Sequence, residues 1–139
     1  MKTTSIALLT AAVVIVFSGC NSPARFTRNH ADTQAWLAPH TAKASLDVSG
    51  NWSSVDWGTT YFGQSGRNVT GSTGEFTVKG VVSGDRAYLT LWDADWCYHT
   101  MTIGSGGRGV LTGTWTHEPP PAGKARSGKQ YPVEFRRVN

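Results

Sequence analysis

From Leu46 onward, apolar and polar residues alternate in short runs separated by glycine-rich turns. Alternation with a period of two is typical of strands that have one buried and one solvent-exposed face. The turn signals recur about every 8–12 residues, and the connections are too short for the crossovers that parallel strands need. The pattern therefore predicts an all-β fold, a single antiparallel up-and-down meander of about eight strands. The candidate strands are 48–57, 59–64, 67–73, 75–83, 86–92, 96–103, 109–117 and 130–138.

A repeated tripeptide, apolar–polar–Gly, indicates how this meander closes. Val69-Thr70-Gly71 and Leu111-Thr112-Gly113 are two examples. The glycine lies on the same face as the apolar residue, where a missing side chain lets the strand bend or accept a bulky neighbour. Such glycines favour closure into a small barrel, which also removes exposed strand edges. A two-sheet sandwich is the alternative, because alternation alone does not exclude it.

The N-terminal residues follow a different pattern. Lys2 precedes an apolar run from Ile6 to Phe17, which is followed by Ser18-Gly19-Cys20. The run has the length of a signal-peptide hydrophobic region and is too short to span a bilayer. The segment resembles the lipobox of bacterial lipoproteins, with Phe where Leu is usual. The resemblance implies a signal peptide over residues 1–19, a diacylglyceryl thioether on Cys20, cleavage before that cysteine and acylation of its amino group.

Lipid attachment would fix the location of the mature chain. Each buried methylene contributes about 0.8 kcal/mol, and one acyl chain binds only marginally, so a lasting anchor needs more than one. Asn21 follows the cysteine at the position where lipoproteins retained in the inner membrane of enteric bacteria carry Asp. The resemblance therefore favours the bacterial outer membrane, on its periplasmic face or at the surface. The alternative is an ordinary secreted protein whose first cysteine happens to follow the cleavage site.

The chain is predicted to have one folded domain. Residues 20–45 are expected to be the lipidated N-terminus and a tether, and residues 46–139 the β-barrel domain. Within the tether, the stretch 32–38 could form a helical turn that ends before a proline and docks Trp36 and Leu37 on the barrel. A flexible spacer is the alternative interpretation.

Charge and cysteine content limit the partners. The full chain has 13 Lys and Arg and 9 Asp and Glu residues, and removal of Lys2 with the signal peptide leaves 12 − 9 = +3. Such a mildly basic chain tolerates an anionic lipid surface, and no nucleic-acid partner is expected. If Cys20 carries lipid, Cys97 is the remaining thiol. It is interpreted either as a small buried hydrophobe or as a redox-sensitive thiol able to form an intermolecular disulfide.

Two short motifs point to a barrel family. Gly50-Asn51-Trp52 opens the first strand, and Arg136-Arg137 lies in the last. This is similar to the calycin group of eight-stranded barrels, the lipocalins and avidins. The resemblance implies that Trp52 plugs one end of the barrel and that Arg136 stacks over its face, which contributes about 0.5–2 kcal/mol. The residues that bind biotin in avidins are not reproduced, so no ligand is carried over with the fold.

The six tryptophans can either line a ligand cavity or fill the barrel interior. If there is a cavity, we expect its walls to include Trp92, Trp115, Phe76 and Tyr98. A hydrophobic or aromatic small molecule, a lipid or a glycan would be the guest.

Catalytic and metal-binding motifs are scarce. There is no Gly-x-Ser-x-Gly elbow, phosphate loop or His–Glu metal pair, so we expect neither an enzyme nor a cofactor. Asp93, Asp95, Cys97 and His99 would share a face if the strand ran straight, as in a metal site. Asp93-Ala94-Asp95 is more naturally a turn, so no metal site is predicted.

Two functions remain for the lipid-anchored envelope protein. The first is a non-catalytic interaction or accessory module that presents loops and edges to another envelope protein. The long connection 117–129 motivates it, because this segment contains three consecutive prolines and the basic residues Lys124, Arg126 and Lys129. The second is a small-molecule or lipid binder with a Trp-lined barrel pocket. A filled interior would favour the first function and an empty one the second.

Overall fold

Eight antiparallel strands follow one another in chain order around a closed barrel, because the first strand also pairs with the last. The computed structural model describes residues 23–124 and 128–139, so Cys20, Arg126 and the predicted signal peptide lie outside the described residues. The predicted all-β up-and-down barrel is confirmed, and closure excludes the two-sheet sandwich. The elements are α1 Pro23–Leu37, β1 Gly50–Ser54, β2 Gly58–Ser65, β3 Asn68–Thr73, β4 Phe76–Ser83, β5 Arg86–Asp93, β6 Trp96–Gly107, β7 Val110–His117 and β8 Tyr131–Arg137.

The barrel interior is filled by apolar side chains from the inward faces of the strands. Leu89 lies opposite Met101 in the register of β5 and β6, and both are fully buried. These residues belong to one core cluster that begins at Val48 and Trp52. Partly buried Trp115 packs against the cluster at the other end of the barrel. The interior is therefore a packed core, as in small barrels whose width just accommodates side chains.

Inward-facing glycines allow neighbouring strands to approach closely. A Cβ added at Gly71 would overlap the backbone carbonyl oxygen of Tyr61, and one added at Gly113 would overlap that of Thr102. Both glycines come from the repeated tripeptide. They have the role predicted for them, since no other residue leaves room for the strand that crosses beside them.

Trp52 plugs one end of the barrel, which we call the closed end. Its ring is 2% exposed, and its Nε1 donates to the Val48 carbonyl oxygen at 2.8 Å. Arg137, rather than the predicted Arg136, lies over this ring, with its guanidinium carbon 4.3 Å from the ring centroid. Opposite residues of antiparallel strands share a face, and the register sets Trp52 opposite Arg137. Arg136 faces outward and forms an ion pair with Glu134 at 2.6 Å.

Helix α1 is longer than the turn predicted over residues 32–38, and it packs against the outer face of β6. Asn29 is only 5% exposed. Its Nδ2 donates to the Cys97 carbonyl oxygen at 3.0 Å, and its Oδ1 accepts from the Cys97 backbone nitrogen at 2.9 Å. The buried Thr33 hydroxyl donates to the Asn29 carbonyl oxygen at 2.7 Å. Polar groups therefore fix the helix to the barrel.

The segment after α1 also follows the barrel surface. The His40 ring stacks on Tyr88 with centroids 3.4 Å apart, and Trp36 contacts the same tyrosine. The Ser45 backbone nitrogen donates to the Gly84 carbonyl oxygen at 2.8 Å. Residues 23–45 thus run along the outer wall and end at the closed end, instead of forming the free spacer that was one expectation for this stretch. Over the described ranges, no helix has the length and apolar character needed to cross a membrane.

The long connection between β7 and β8 is held at its described positions. The Glu118 backbone nitrogen donates to the Tyr98 carbonyl oxygen at 2.7 Å. The Ala122 backbone nitrogen donates to Oδ1 of Asp32 in α1 at 2.8 Å. This part of the connection therefore packs beside the helix at the end of the barrel opposite Trp52.

Candidate functional site

The end of the barrel opposite Trp52, which we call the mouth end, is filled by aromatic and imidazole rings. Most of them occupy the inward-facing position of a strand that lies nearest to this end of the barrel. The register sets His99 opposite His117 and Trp115 opposite Tyr131. The rings contact one another at centroid distances of 4.6–5.8 Å. We call this group the mouth cluster; it consists of Trp57, Phe76, His99, Trp115, His117 and Tyr131.

Three rings of the mouth cluster form a mutually packed triangle. The Trp57 centroid is 5.3 Å from that of His99 and 5.1 Å from that of Trp115, and the last two centroids are 5.2 Å apart. Within the described part of the chain, Nε1 of each tryptophan and Nδ1 of the histidine are buried without a hydrogen-bond partner. An unsatisfied buried polar atom costs about 1–3 kcal/mol. Three uncompensated polar atoms therefore lie together in the triangle, two indole N–H donors and one imidazole nitrogen.

The environment of His99 favours the neutral ring. Burial, and to a smaller extent the neighbouring His117, lower its pKa to about 4, although a backbone hydrogen bond with Thr116 acts in the opposite direction. The two imidazole centroids are 5.1 Å apart. A neutral imidazole has one donor and one acceptor nitrogen, so the triangle is an uncharged hydrogen-bonding group at neutral pH.

The four residues predicted to line a cavity do not share one wall. Trp115 and Phe76 belong to the mouth cluster, and both contact Trp57. Tyr98 lies on the outer rim, 43% exposed, with its ring centroid 6.1 Å from that of Phe76. Trp92 faces away from the interior and is covered by α1, where the His30 ring lies 5.1 Å from it. Strand alternation explains why Trp92 faces outward, since Leu91, the preceding residue of β5, points into the core.

Four residues of the mouth cluster were not among those predicted from the sequence to line a cavity. His117 continues the inward alternation of Trp115, so the pattern of β7 could have indicated it. Tyr131 opens the inward face of β8 in the same way. Trp57 follows the end of β1, where no strand periodicity predicts its direction. His99 required the register between β5 and β6, which is shifted by a bulge beside Leu91.

The Asp93–His99 stretch turns as expected and does not bring its polar residues together. Ala94 lies at the tip with a φ of 47°, and Cys97 and His99 point to different sides of the barrel wall. Burial under α1 raises the pKa of the Cys97 thiol to about 11, which agrees with its interpretation as a small buried hydrophobe. Among residues 23–124 and 128–139, no three His, Cys, Asp or Glu side chains are grouped to hold a metal ion.

The closed end carries a concentration of positive charge. A groove of about 600 Å³ there is lined by three arginine side chains together with residues 109, 110 and 139; we call it the arginine groove. Its arginines are Arg108, Arg136 and Arg137. Six basic and three acidic side chains lie at or beside this end of the barrel, a sum of 6 − 3 = +3. They are Lys43, Arg67, Arg86, Arg108, Arg136 and Arg137 against Asp47, Asp85 and Glu134.

The chain matches no protein-family model, no curated protein and no solved structure.

Proposed function

We propose that this protein is a non-catalytic interaction module of the bacterial cell envelope, held at the outer membrane by a lipid on Cys20. In this proposal the arginine groove binds an acidic segment of another envelope protein. The observation that carries the proposal is the cluster of arginines around one groove at the end of a barrel whose interior is filled.

The filled interior supports recognition by the outer surface. A calyx binder needs a hollow barrel that encloses most of its ligand. Here the core runs from Trp52 to the partly buried Trp115, and Arg137 lies over the plug at the closed end. Loops and strand ends are therefore the surfaces available to a partner.

The arginine groove has the chemistry to bind carboxylates. Guanidinium groups bind carboxylates through two parallel hydrogen bonds, and arginine is enriched at protein interfaces. Arg137 is already oriented, because its NH1 donates to the Ser49 carbonyl oxygen at 3.0 Å. A side chain held in place loses less conformational entropy when it binds. Arg136 is paired with Glu134 and would exchange that surface ion pair for the carboxylate of a partner.

The proposal is tested by crosslinking in the envelope of living cells. A photoreactive residue in place of Val110, which lines the groove beside its arginines, should capture a discrete envelope protein, and the same residue in place of Tyr61 on the outer wall should not. Arg108→Glu should weaken capture from the probe at Val110, and Lys79→Glu, which changes the net charge equally on the barrel wall, should not. Adducts with lipid alone, or equal capture from both probe positions, would contradict the proposal.

A second candidate function is the binding of a small molecule at the mouth cluster. The three unpaired ring nitrogens favour it, because they would pair with a guest that combines an apolar ring with a hydroxyl or carbonyl group. Intrinsic tryptophan fluorescence should then respond to such compounds. Trp57→Phe and Trp115→Phe should abolish the response, whereas Trp36→Phe on the outer wall should preserve it. A flat titration across aromatic alcohols, saccharides and lipids argues against this function.

A further inference from the structure

The first turn of α1 is fixed at the mouth end of the barrel. The Phe26 ring lies 6.1 Å from that of Trp96, and the Arg25 guanidinium lies 5.3 Å from the same ring. One turn later, the Nε2 atom of His30 is hydrogen-bonded to the Asp95 carbonyl oxygen at 2.6 Å. The helix therefore begins beside the β5–β6 turn and runs from there toward the closed end.

Only two residues separate the start of this helix from the proposed lipid attachment. Asn21 and Ser22 lie between Cys20 and Pro23. An extended chain spans at most about 3.3–3.6 Å per residue, so three residue steps reach no more than about 11 Å. The headgroup region on each side of a bilayer is about 5–8 Å thick. A lipid on Cys20 thus brings the mouth end to the headgroup layer.

The surface at this point suits a membrane interface. We call it the aromatic rim; it consists of Phe26, Trp96 and Tyr98, whose rings contact one another in a row. Phe26 is 36% exposed, and Tyr98 is exposed to a greater extent. Rings of Trp and Tyr are enriched at the level of lipid headgroups, because one part of each ring system is apolar and the other forms hydrogen bonds.

The charges around the aromatic rim do not attract anionic lipid. Arg25 and Arg28 on the first turns of α1 lie beside Asp32 and Glu118, and Arg25 pairs with Glu118 at 3.9 Å. Asp93 and Asp95 lie in the adjoining β5–β6 turn. Because acidic side chains outnumber basic ones here, contact through the rings and the proximity of the anchor would dominate. A zwitterionic phospholipid surface is therefore the partner that this patch fits.

We propose that the mouth end of the barrel lies against the phospholipid headgroups, with the aromatic rim in contact with them. This inference rests on the proposed anchoring through Cys20. It places the arginine groove at the far end of the barrel, where it faces away from the bilayer and is accessible to a protein partner. The lipid attachment thus sets the orientation of the module as well as its location.

The orientation is tested with the full-length lipidated protein in phosphatidylcholine vesicles that carry nitroxide-labelled headgroups. We expect the label to quench tryptophan fluorescence, and Trp96→Phe to reduce the quenched signal, with the remainder coming from the two tryptophans of the mouth cluster. Trp36→Phe should leave the quenched signal unchanged, since this residue contacts Tyr88 farther along the wall. Both substitutions keep an aromatic ring, so the fold is preserved. Equal quenching in the two variants, or loss only in Trp36→Phe, would overturn the proposed orientation.

A parallel measurement separates this inference from the anchoring on which it rests. The mass of the N-terminal peptide from the same sample shows whether Cys20 carries lipid. Lipid on Cys20 without quenching of Trp96 refutes the orientation alone. An unmodified Cys20 refutes the anchoring itself, and the orientation falls with it.

Discussion

Replacement of Asn29 by alanine should detach α1 from the barrel wall. The buried amide makes two hydrogen bonds to the backbone of Cys97, at 3.0 and 2.9 Å. Without it, the backbone N–H and C=O of Cys97 lose these partners, at a cost of about 1–3 kcal/mol each. The better helix propensity of alanine returns about 0.5 kcal/mol. Because water can reach part of the vacated space, we expect a net loss of about 2–4 kcal/mol.

Urea unfolding followed by circular dichroism measures this loss as a shift of the midpoint at constant slope. Thr27→Ala is the matched control, since that exposed hydroxyl donates to the Pro23 carbonyl oxygen within the same helix and not to the barrel wall as far as the described residues show. We expect the control to change stability by less than about 0.5 kcal/mol. Faster hydrogen exchange at the Cys97 amide should accompany the Asn29→Ala loss. An Asn29→Ala protein as stable as the control would refute the docking argument.

Three further predictions concern the barrel itself. Arg137→Met should lower the free energy of unfolding by about 1–2 kcal/mol, because the contacts with the Trp52 ring and the Ser49 carbonyl oxygen are lost. Arg136→Met should lower it by less than about 0.5 kcal/mol, and urea unfolding measures both changes. The pKa of His99 is lower in the folded than in the unfolded protein, so stability should fall as the pH drops from about 6.5 to about 4. Solvent screening of the partly exposed ring limits the loss to about 1–2 kcal/mol. His99→Phe should remove that part of the pH dependence, and an unchanged profile would contradict the assignment. Gly113→Ala should lower the free energy of unfolding by about 3 kcal/mol in thermal or urea unfolding. Gly63→Ala should be nearly neutral, since its Cβ would meet the end of the Tyr61 side chain at 3.3 Å and the Thr70 carbonyl oxygen at an ordinary contact distance of 3.6 Å; equal effects would contradict the close approach of the strands.

Most strands were predictable because burial alternates along them, and their closure was predictable from the inward-facing glycines of the repeated tripeptide. Leu111 and Phe135 illustrate this, since both lie on apolar faces of the sequence pattern and face each other in the core. The same alternation could have identified the residue over Trp52. Val133 and Phe135 point inward, so the period of two places Arg137 on the inward face as well. The prediction of Arg136 over Trp52 did not follow that period.

The docked helix and the mouth cluster were less accessible from the sequence. The buried residues of α1 are the polar Asn29 and Thr33, so no apolar stripe marks the face that contacts the barrel. Asn29 and Cys97 are also far apart along the chain, and a hydrogen bond between them leaves no local pattern. The meeting of His99 with Trp57 depends on strand register and on a turn whose direction periodicity does not fix.

The central claim is that a lipid on Cys20 holds this packed barrel at a bilayer as a binding module. Mass spectrometry of the N-terminal peptide from the protein in its bacterial envelope tests it most directly. The account predicts a mature chain that begins at Cys20 and carries a diacylglyceryl thioether and an acylated amino group. A peptide that begins elsewhere, or an unmodified thiol at Cys20, would contradict it.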